Sequence, residues 1–388
     1  MYKVHCLNAI SPQGTARMEG KYEFTKEAGE ADAILVRSAV MHEMEVSDSL
    51  LCVARAGAGV NNIPLEDYAK RGIVVFNTPG ANANAVKELV IAGLLMAARD
   101  IHGGIEWIEA EREDKNIAKD AEKAKKQFAG TEIYGKTLGV IGLGAIGVMV
   151  ANAATNLGMK VLGYDPYLSV DNAWRLSRHV NHCKDLYQLL GECDYVTVHV
   201  PAMDSTKGMI DRKAIESMKE GVAVLNFARD ILIDEEALEE ALEAGRVRKY
   251  VSDFPNARSV NMKNTLVLPH LGASTEESEE NCAEMAAQET MDYLENGNIR
   301  NSVNYPNCDF GPLEGPCRIA IFNENIPNMI SQFTSVLADQ GINIVDLGNK
   351  SKGNVAYTLI NTDQDVTEET VKRLMEINGV FRVRVIRA

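Results

Sequence analysis

At 388 residues the chain exceeds what one hydrophobic core serves, and 46% hydrophobic against 24% charged residues excludes a disordered or fibrous protein. Forty Lys and Arg against 55 Asp and Glu leave a net charge of −15, which argues against nucleic acid or an anionic membrane as the main partner. An anionic substrate would therefore have to be met by local cations.

The start, Met1-Tyr2-Lys3-Val4-His5-Cys6-Leu7, lacks the basic-then-apolar build of a signal peptide and reads as a first strand, so a cytoplasmic protein is expected. Seven cysteines with no Cys-x-x-Cys pair, scattered from Cys6 to Cys317, are expected as reduced thiols. Strands are predicted over 33–37, 51–56 and 73–77, each closed by a turn signal, followed by a helix over 84–101. That helix carries the longest apolar run, 90–98, about half a membrane span, and reads as buried. The charged stretch 109–127 reads as a solvated helix or loop beside a cleft between domains. A second strand set is predicted over 137–141, 160–164, 195–200, 222–226, 251–252 and 265–268, with helices between. Continuous aliphatic runs alternating with helices are the pattern of parallel sheets covered on both faces. His179, His182 and Cys183 lack a second pair of ligands at zinc spacing, so no metal is expected. Residues 305–316, with three prolines and two glycines, read as a linker, and the strand-helix-strand-strand-helix-strand order after it is the ferredoxin-like plan.

The strand 138–141 runs directly into Gly142-Leu143-Gly144-Ala145-Ile146-Gly147 and then a helix. In that context Gly142 permits the tight turn, Gly144 lets backbone approach a pyrophosphate, and Gly147 lets helix and strand pack closely. Asp165 ends the next strand, 23 residues beyond Gly142, where a carboxylate accepts ribose hydroxyls and repels a 2′-phosphate, so NAD is the expected cofactor. Two later strands end in Arg229 and His270. A guanidinium to grip a carboxylate and an imidazole to move a hydroxyl proton are the pair that hydride transfer at a 2-hydroxy acid needs.

The segments Arg55-Ala56-Gly57-Ala58-Gly59-Val60-Asn61-Asn62-Ile63, 135–139 with the glycine turn, Val198-His199-Val200-Pro201, Asn226-Phe227-Ala228-Arg229 and Pro269-His270-Leu271-Gly272-Ala273-Ser274-Thr275 resemble the D-2-hydroxyacid dehydrogenase family. Within it they resemble the branch acting on 3-phosphoglycerate. The resemblance implies two Rossmann-like or flavodoxin-like parallel-sheet domains and a C-terminal ACT-type ferredoxin-like module. It divides the chain into an outer substrate domain (1–97 and 276–304), an NAD domain (98–275), the linker 305–316 and the ACT module (317–388). It implies an NAD pocket lined by Gly142, Gly144, Ala145, Ile146, Gly147, Asp165, Val200, Pro201, Phe227, Ala228, Arg229, Asp253 and Gly272. For the substrate it implies Arg37 and Ser38, the turn at Ala58 and Gly59, Asn82, and Lys125, the last reaching phosphate from a neighbouring subunit.

One departure stands out. The family completes an Arg, Glu, His triad from a segment resembling Asp-Val-Phe-x-x-Glu-Pro, whereas this chain reads Ser252-Asp253-Phe254-Pro255-Asn256-Ala257-Arg258. Ala257 stands where the Glu is expected, and Asp253 is the nearest carboxylate to serve with Arg229 and His270. The implied function is NAD-dependent oxidation of 3-phospho-D-glycerate, the first step of serine biosynthesis, by a homodimer or homotetramer. Serine is a candidate effector near Asn325 and Asn343. The alternatives are a dehydrogenase for glycerate, hydroxypyruvate or 2-hydroxyglutarate, or an NAD sensor of low turnover.

Overall fold

The computed structural model describes residues 1–387. Among them the strands form three sheets. The first is parallel, in the order β2-β1-β3-β4-β5, from β1 (Tyr2–Cys6), β2 (Tyr22–Phe24), β3 (Ala33–Val36), β4 (Cys52–Arg55) and β5 (Val74–Asn77). The second, also parallel, holds β6 (Thr137–Ile141), β7 (Lys160–Tyr164), β8 (Val180–His182), β9 (Tyr195–Val198), β10 (Val222–Asn226), β11 (Val247–Ser252) and β12 (Thr265–Val267), in the order β12-β11-β10-β9-β6-β7-β8. Between β6 and β9 the winding reverses, so ligands are expected beyond the C-terminal ends of those two strands. The third sheet is antiparallel, β14-β15-β13-β16, from β13 (Cys317–Glu324), β14 (Ile344–Lys352), β15 (Val355–Thr362) and β16 (Val380–Arg387). With helices Met329–Asp339 and Glu368–Met375 it realises the ferredoxin-like order read from the sequence.

The chain divides into two compact units, Met1–Asn82 with Glu276–Ala388, and Ala83–Thr275. The sequence boundary at 97/98 thus gives way to one at 82/83. Helix Ala83–Ala98 shares the apolar core of the second unit through Val86, Val90 and Leu94, and Gly93 brings it so near Phe227 that a Cβ there would lie 2.8 Å from Cζ. Among the described residues no helix is long and apolar enough to cross a membrane.

The segment read as a linker is pinned into the first unit. Tyr305 is fully buried and donates to the Ala69 carbonyl at 2.5 Å. Arg318, also fully buried, donates to Asn296 O at 2.7 Å, Gly311 O at 3.0 Å and Asn361 Oδ1 at 2.7 Å. One face of the third sheet, with Ala320, Phe322, Tyr357, Leu359 and Ile386, shares a core with Val4, Phe76 and Tyr293. The short edge strands β2 and β8 were not foreseen, because three-residue strands with polar members carry little periodic signal. His182 lies on β8, and the buried Cys183 thiol donates to the Asp185 carbonyl at 3.1 Å.

Candidate active site

The glycine turn lies at the reversal of the second sheet. Gly142 has φ +88°, and a Cβ on it would come within 2.7 Å of the His199 carbonyl and 2.9 Å of Val200 Cγ1. At Gly147 a Cβ would be 1.9 Å from the Gly142 carbonyl, so neither position tolerates a side chain. Gly144 faces open space, with nothing within 4 Å of an added Cβ. It caps helix Ala145–Asn156 without a side-chain hydrogen bond, which leaves Ala145, Ile146 and Gly147 presenting helix N-terminal N–H groups. Asp165, just after β7, accepts from Leu143 N and Tyr167 N, each at 2.8 Å, and is thereby tied to the turn. An open glycine cradle, an uncapped helix and an adjacent carboxylate fit a dinucleotide pyrophosphate and ribose. Beneath the turn, His199 shares a hydrogen with Thr197 Oγ1 at 2.9 Å and leaves Nδ1 without a partner, and burial pushes its pKa down to about 3. Its ring is therefore neutral. Val200 is half-buried and Pro201 exposed.

Beyond β10, the fully buried Asn226 shapes the next turn: its Oδ1 accepts from Ala228 N at 3.1 Å and its Nδ2 donates to Arg229 O at 2.8 Å. Phe227 is 5% exposed and turned into the core, so its side chain is structural and only its backbone is available to a pocket. Arg229 donates from Nη1 to the Ala228 carbonyl at 2.7 Å, and its guanidinium carbon lies 5.2 Å from the centre of the Phe254 ring.

Asp253, just after β11, is 2% exposed. Its Oδ1 accepts from Leu271 N at 2.8 Å and its Oδ2 from Gly272 N at 2.7 Å, so each oxygen holds backbone. Burial raises its pKa while those N–H groups and His270 oppose the rise. A Cβ on Gly272 would fall 2.9 Å from Oδ2, which makes glycine necessary for this approach. The structure thus places Asp253 as the clamp of the loop carrying His270. His270 itself has φ +57°, a left-handed conformation, and its exposed ring lies 4.7 Å from that of Phe254. Ala257 is exposed on the turn before Ser259–Asn261, with its carbonyl accepting from Asn261 Nδ2 at 2.8 Å.

In the first unit, Asn8 Oδ1 accepts from the N–H groups of Arg37, Ser38 and Ala39 at 3.0 to 3.1 Å, fixing the turn after β3. The Arg37 guanidinium pairs with Glu279 at 2.7 Å. Asn77 Nδ2 donates to Ala58 O at 2.6 Å, and Gly57 N to Thr78 Oγ1 at 2.8 Å, which sets the turn that continues to Gly59. Sequence reasoning named Arg55 only as part of a motif, yet it ends β4, donates to Arg37 O at 3.0 Å and lays its guanidinium against Gly57. A cation at a strand end before a glycine turn was the available signal. Asn82 is half-buried in the turn closing this unit. Lys125 lies in the other unit, exposed and paired with Glu122. In the C-terminal module, Asn325 Nδ2 donates to Gly353 O at 3.1 Å and Asn343 is exposed.

Residues 91–272 match the family model for the NAD binding domain of D-isomer specific 2-hydroxyacid dehydrogenases. The chain is 32% identical over 359 residues to the D-3-phosphoglycerate dehydrogenase of Escherichia coli, covering 88% of this chain and 83% of that one. It is 34% identical over 336 residues to the enzyme of that name from Methanocaldococcus jannaschii, covering 84% of this chain but 61% of that relative. Of the Archaeoglobus fulgidus relative it spans 55%, at 36% identity. The crystal structure of NAD+-bound 3-phosphoglycerate dehydrogenase from Entamoeba histolytica superposes with a TM-score of 0.62 at 28% identity, over 78% of this chain and 98% of that one. With the glycine cradle, the Arg229 and His270 pair and these likenesses in agreement, the chain belongs to the D-isomer specific 2-hydroxyacid dehydrogenase family.

Proposed function

We propose that the protein oxidises 3-phospho-D-glycerate to 3-phosphohydroxypyruvate with NAD, the first step of serine biosynthesis. The observation that carries this reading is the convergence of Arg229 and His270 on Phe254, beyond the C-terminal ends of neighbouring strands in the unit that holds the glycine turn. NAD, held by the Gly142 to Gly147 turn and Asp165, would supply the hydride acceptor for C2 of the substrate. Arg229 grips the substrate carboxylate with paired N–H donors and polarises the 2-oxygen. His270 accepts the hydroxyl proton as the ketone forms, so hydride and proton leave the alcohol to different acceptors. Arg37 and Arg55 supply cations for the phosphate, with Arg37 exchanging Glu279 for it, and Lys125 is the candidate contributed by a second subunit. The acidic Asp165 favours NAD over NADP.

The C-terminal module serves as a dimerisation unit, giving a homodimer or homotetramer in the cytoplasm. Serine is a candidate effector there, although Asn325 would have to release Gly353 to meet it. NADH absorbance on mixing purified protein, NAD and 3-phosphoglycerate tests the reading, with turnover expected and NADP a poor substitute. Turnover only with glycerate, hydroxypyruvate or 2-hydroxyglutarate would reassign the substrate, and none with any acid would favour an NAD sensor.

A further inference from the structure

We infer that Phe254 is a positioning residue that aligns both Arg229 and His270, on a site where Ala257 supplies no carboxylate. The inference rests on Arg229 and His270 being the pair that faces the substrate. Strand order explains the geometry. β11 lies between β10 and β12, so a residue two places beyond β11 is flanked by residues beyond both neighbours. The guanidinium carbon of Arg229 is 5.2 Å from the ring centre, within the roughly 6 Å over which a ring face attracts a cation. The imidazole of His270 lies 4.7 Å away with its plane tilted by 49°. A ring face answers a guanidinium, and also an imidazole that becomes a cation when it takes the hydroxyl proton. Phe254 does this by its quadrupole and its shape, without a charge of its own.

The ring is itself held. Phe254 N donates to Ser252 Oγ at 3.1 Å, and Pro255 fixes the backbone beyond it. Asp253 N donates to Asn226 O at 3.1 Å, tying the dipeptide to the end of β10, while the Asp253 carboxylate ties it to Leu271 and Gly272 after His270. Backbone and ring thus reach the same two neighbours. Phe254 is half-buried and belongs to none of the apolar core clusters, so its place is not explained by packing of the unit.

Leucine at this position keeps apolar bulk and loses the ring face, whereas tyrosine and tryptophan keep the face. Steady-state kinetics of F254L, F254Y and F254W with NAD and 3-phosphoglycerate, alongside binary NADH binding and thermal melting, separate the two roles. We expect F254L to lose roughly tenfold in kcat, as loss of a cation–π contact implies. Its NADH affinity and melting temperature should stay near wild type, and F254Y or F254W should recover most of the loss. If F254L does not fold, F254M takes its place. Leucine and tyrosine variants that fall together or stand together would overturn the inference. A wild type without turnover on any 2-hydroxy acid would instead overturn the functional reading.

Discussion

His270 adopts φ +57°, a region that non-glycine residues occupy only when their surroundings hold them there. The hold is the Asp253 carboxylate, whose two oxygens each accept a backbone N–H just beyond the histidine. Asp253→Asn leaves one acceptor oxygen and turns an N–H donor toward the second backbone N–H. The expected loss is on the order of 1–3 kcal/mol, the size of a charge-assisted hydrogen bond left unmade at a buried site. It should appear as a lower melting temperature and a fall in kcat, and an Asp253→Asn enzyme with wild-type kcat would refute this clamp. An aspartate at this position is readable from sequence as the carboxylate nearest to Ala257, where the Glu is expected. That its oxygens face main chain and not the imidazole is not, because the partner N–H groups lie 18 and 19 residues away and meet it only through β11 and β12 pairing.

Helix Glu276–Asn296 carries a carboxyl group inside the first unit. Glu289 is 9% exposed, accepts from Asn301 Nδ2 at 2.7 Å through Oε1, and has no partner for Oε2. Burial pushes its pKa up from 4.5 to about 8, with Asn301 opposing. Below about pH 4.5 folded and unfolded chains both keep this proton. From there to about pH 8 the unfolded chain releases it and the folded chain does not, so this group lowers stability as pH rises and adds no further change above that range. Glu289→Gln keeps the acceptor and removes the titration. Its gain over wild type should be near zero at the acid end and grow to a few kcal/mol, about 3 by pH 7. Denaturant unfolding across that range checks this, and a gain independent of pH would show that Glu289 is not held neutral.

At the scale of the whole chain, the C-terminal module is bound to the unit that begins the sequence. Arg384 donates to the carbonyls of Tyr293 and Leu294, Arg382 to those of Asp48 and Leu50, and the apolar face of the third sheet covers Phe76 and Tyr293. A chain ending at Asn304 would bare that face. We expect it to be insoluble or to melt more than about 10 °C below the full chain. If the shortened chain is equally soluble and stable, the module is an independent bead and the shared core is not needed.

Much of the fold was legible because its signals are local. Long aliphatic runs marked the central strands, the βαββαβ order marked the third sheet, and the glycine turn needs only a strand, a helix and three residues without side chains. Prolines and glycines at 305–316 look the same whether the segment swings free or is pinned by Arg318, so its state was not legible. The turn at Gly142 to Gly147, Asp165 after β7, and Arg229 and His270 at strand ends were determined by the sequence alone, since each depends on neighbours close in the chain. Tertiary structure alone decided that Phe227 points into the core, that Arg37 is held by Glu279, and that Phe254 stands between Arg229 and His270. Those contacts arise from the lateral order of strands and from helix packing, which bring together residues that the linear chain keeps apart.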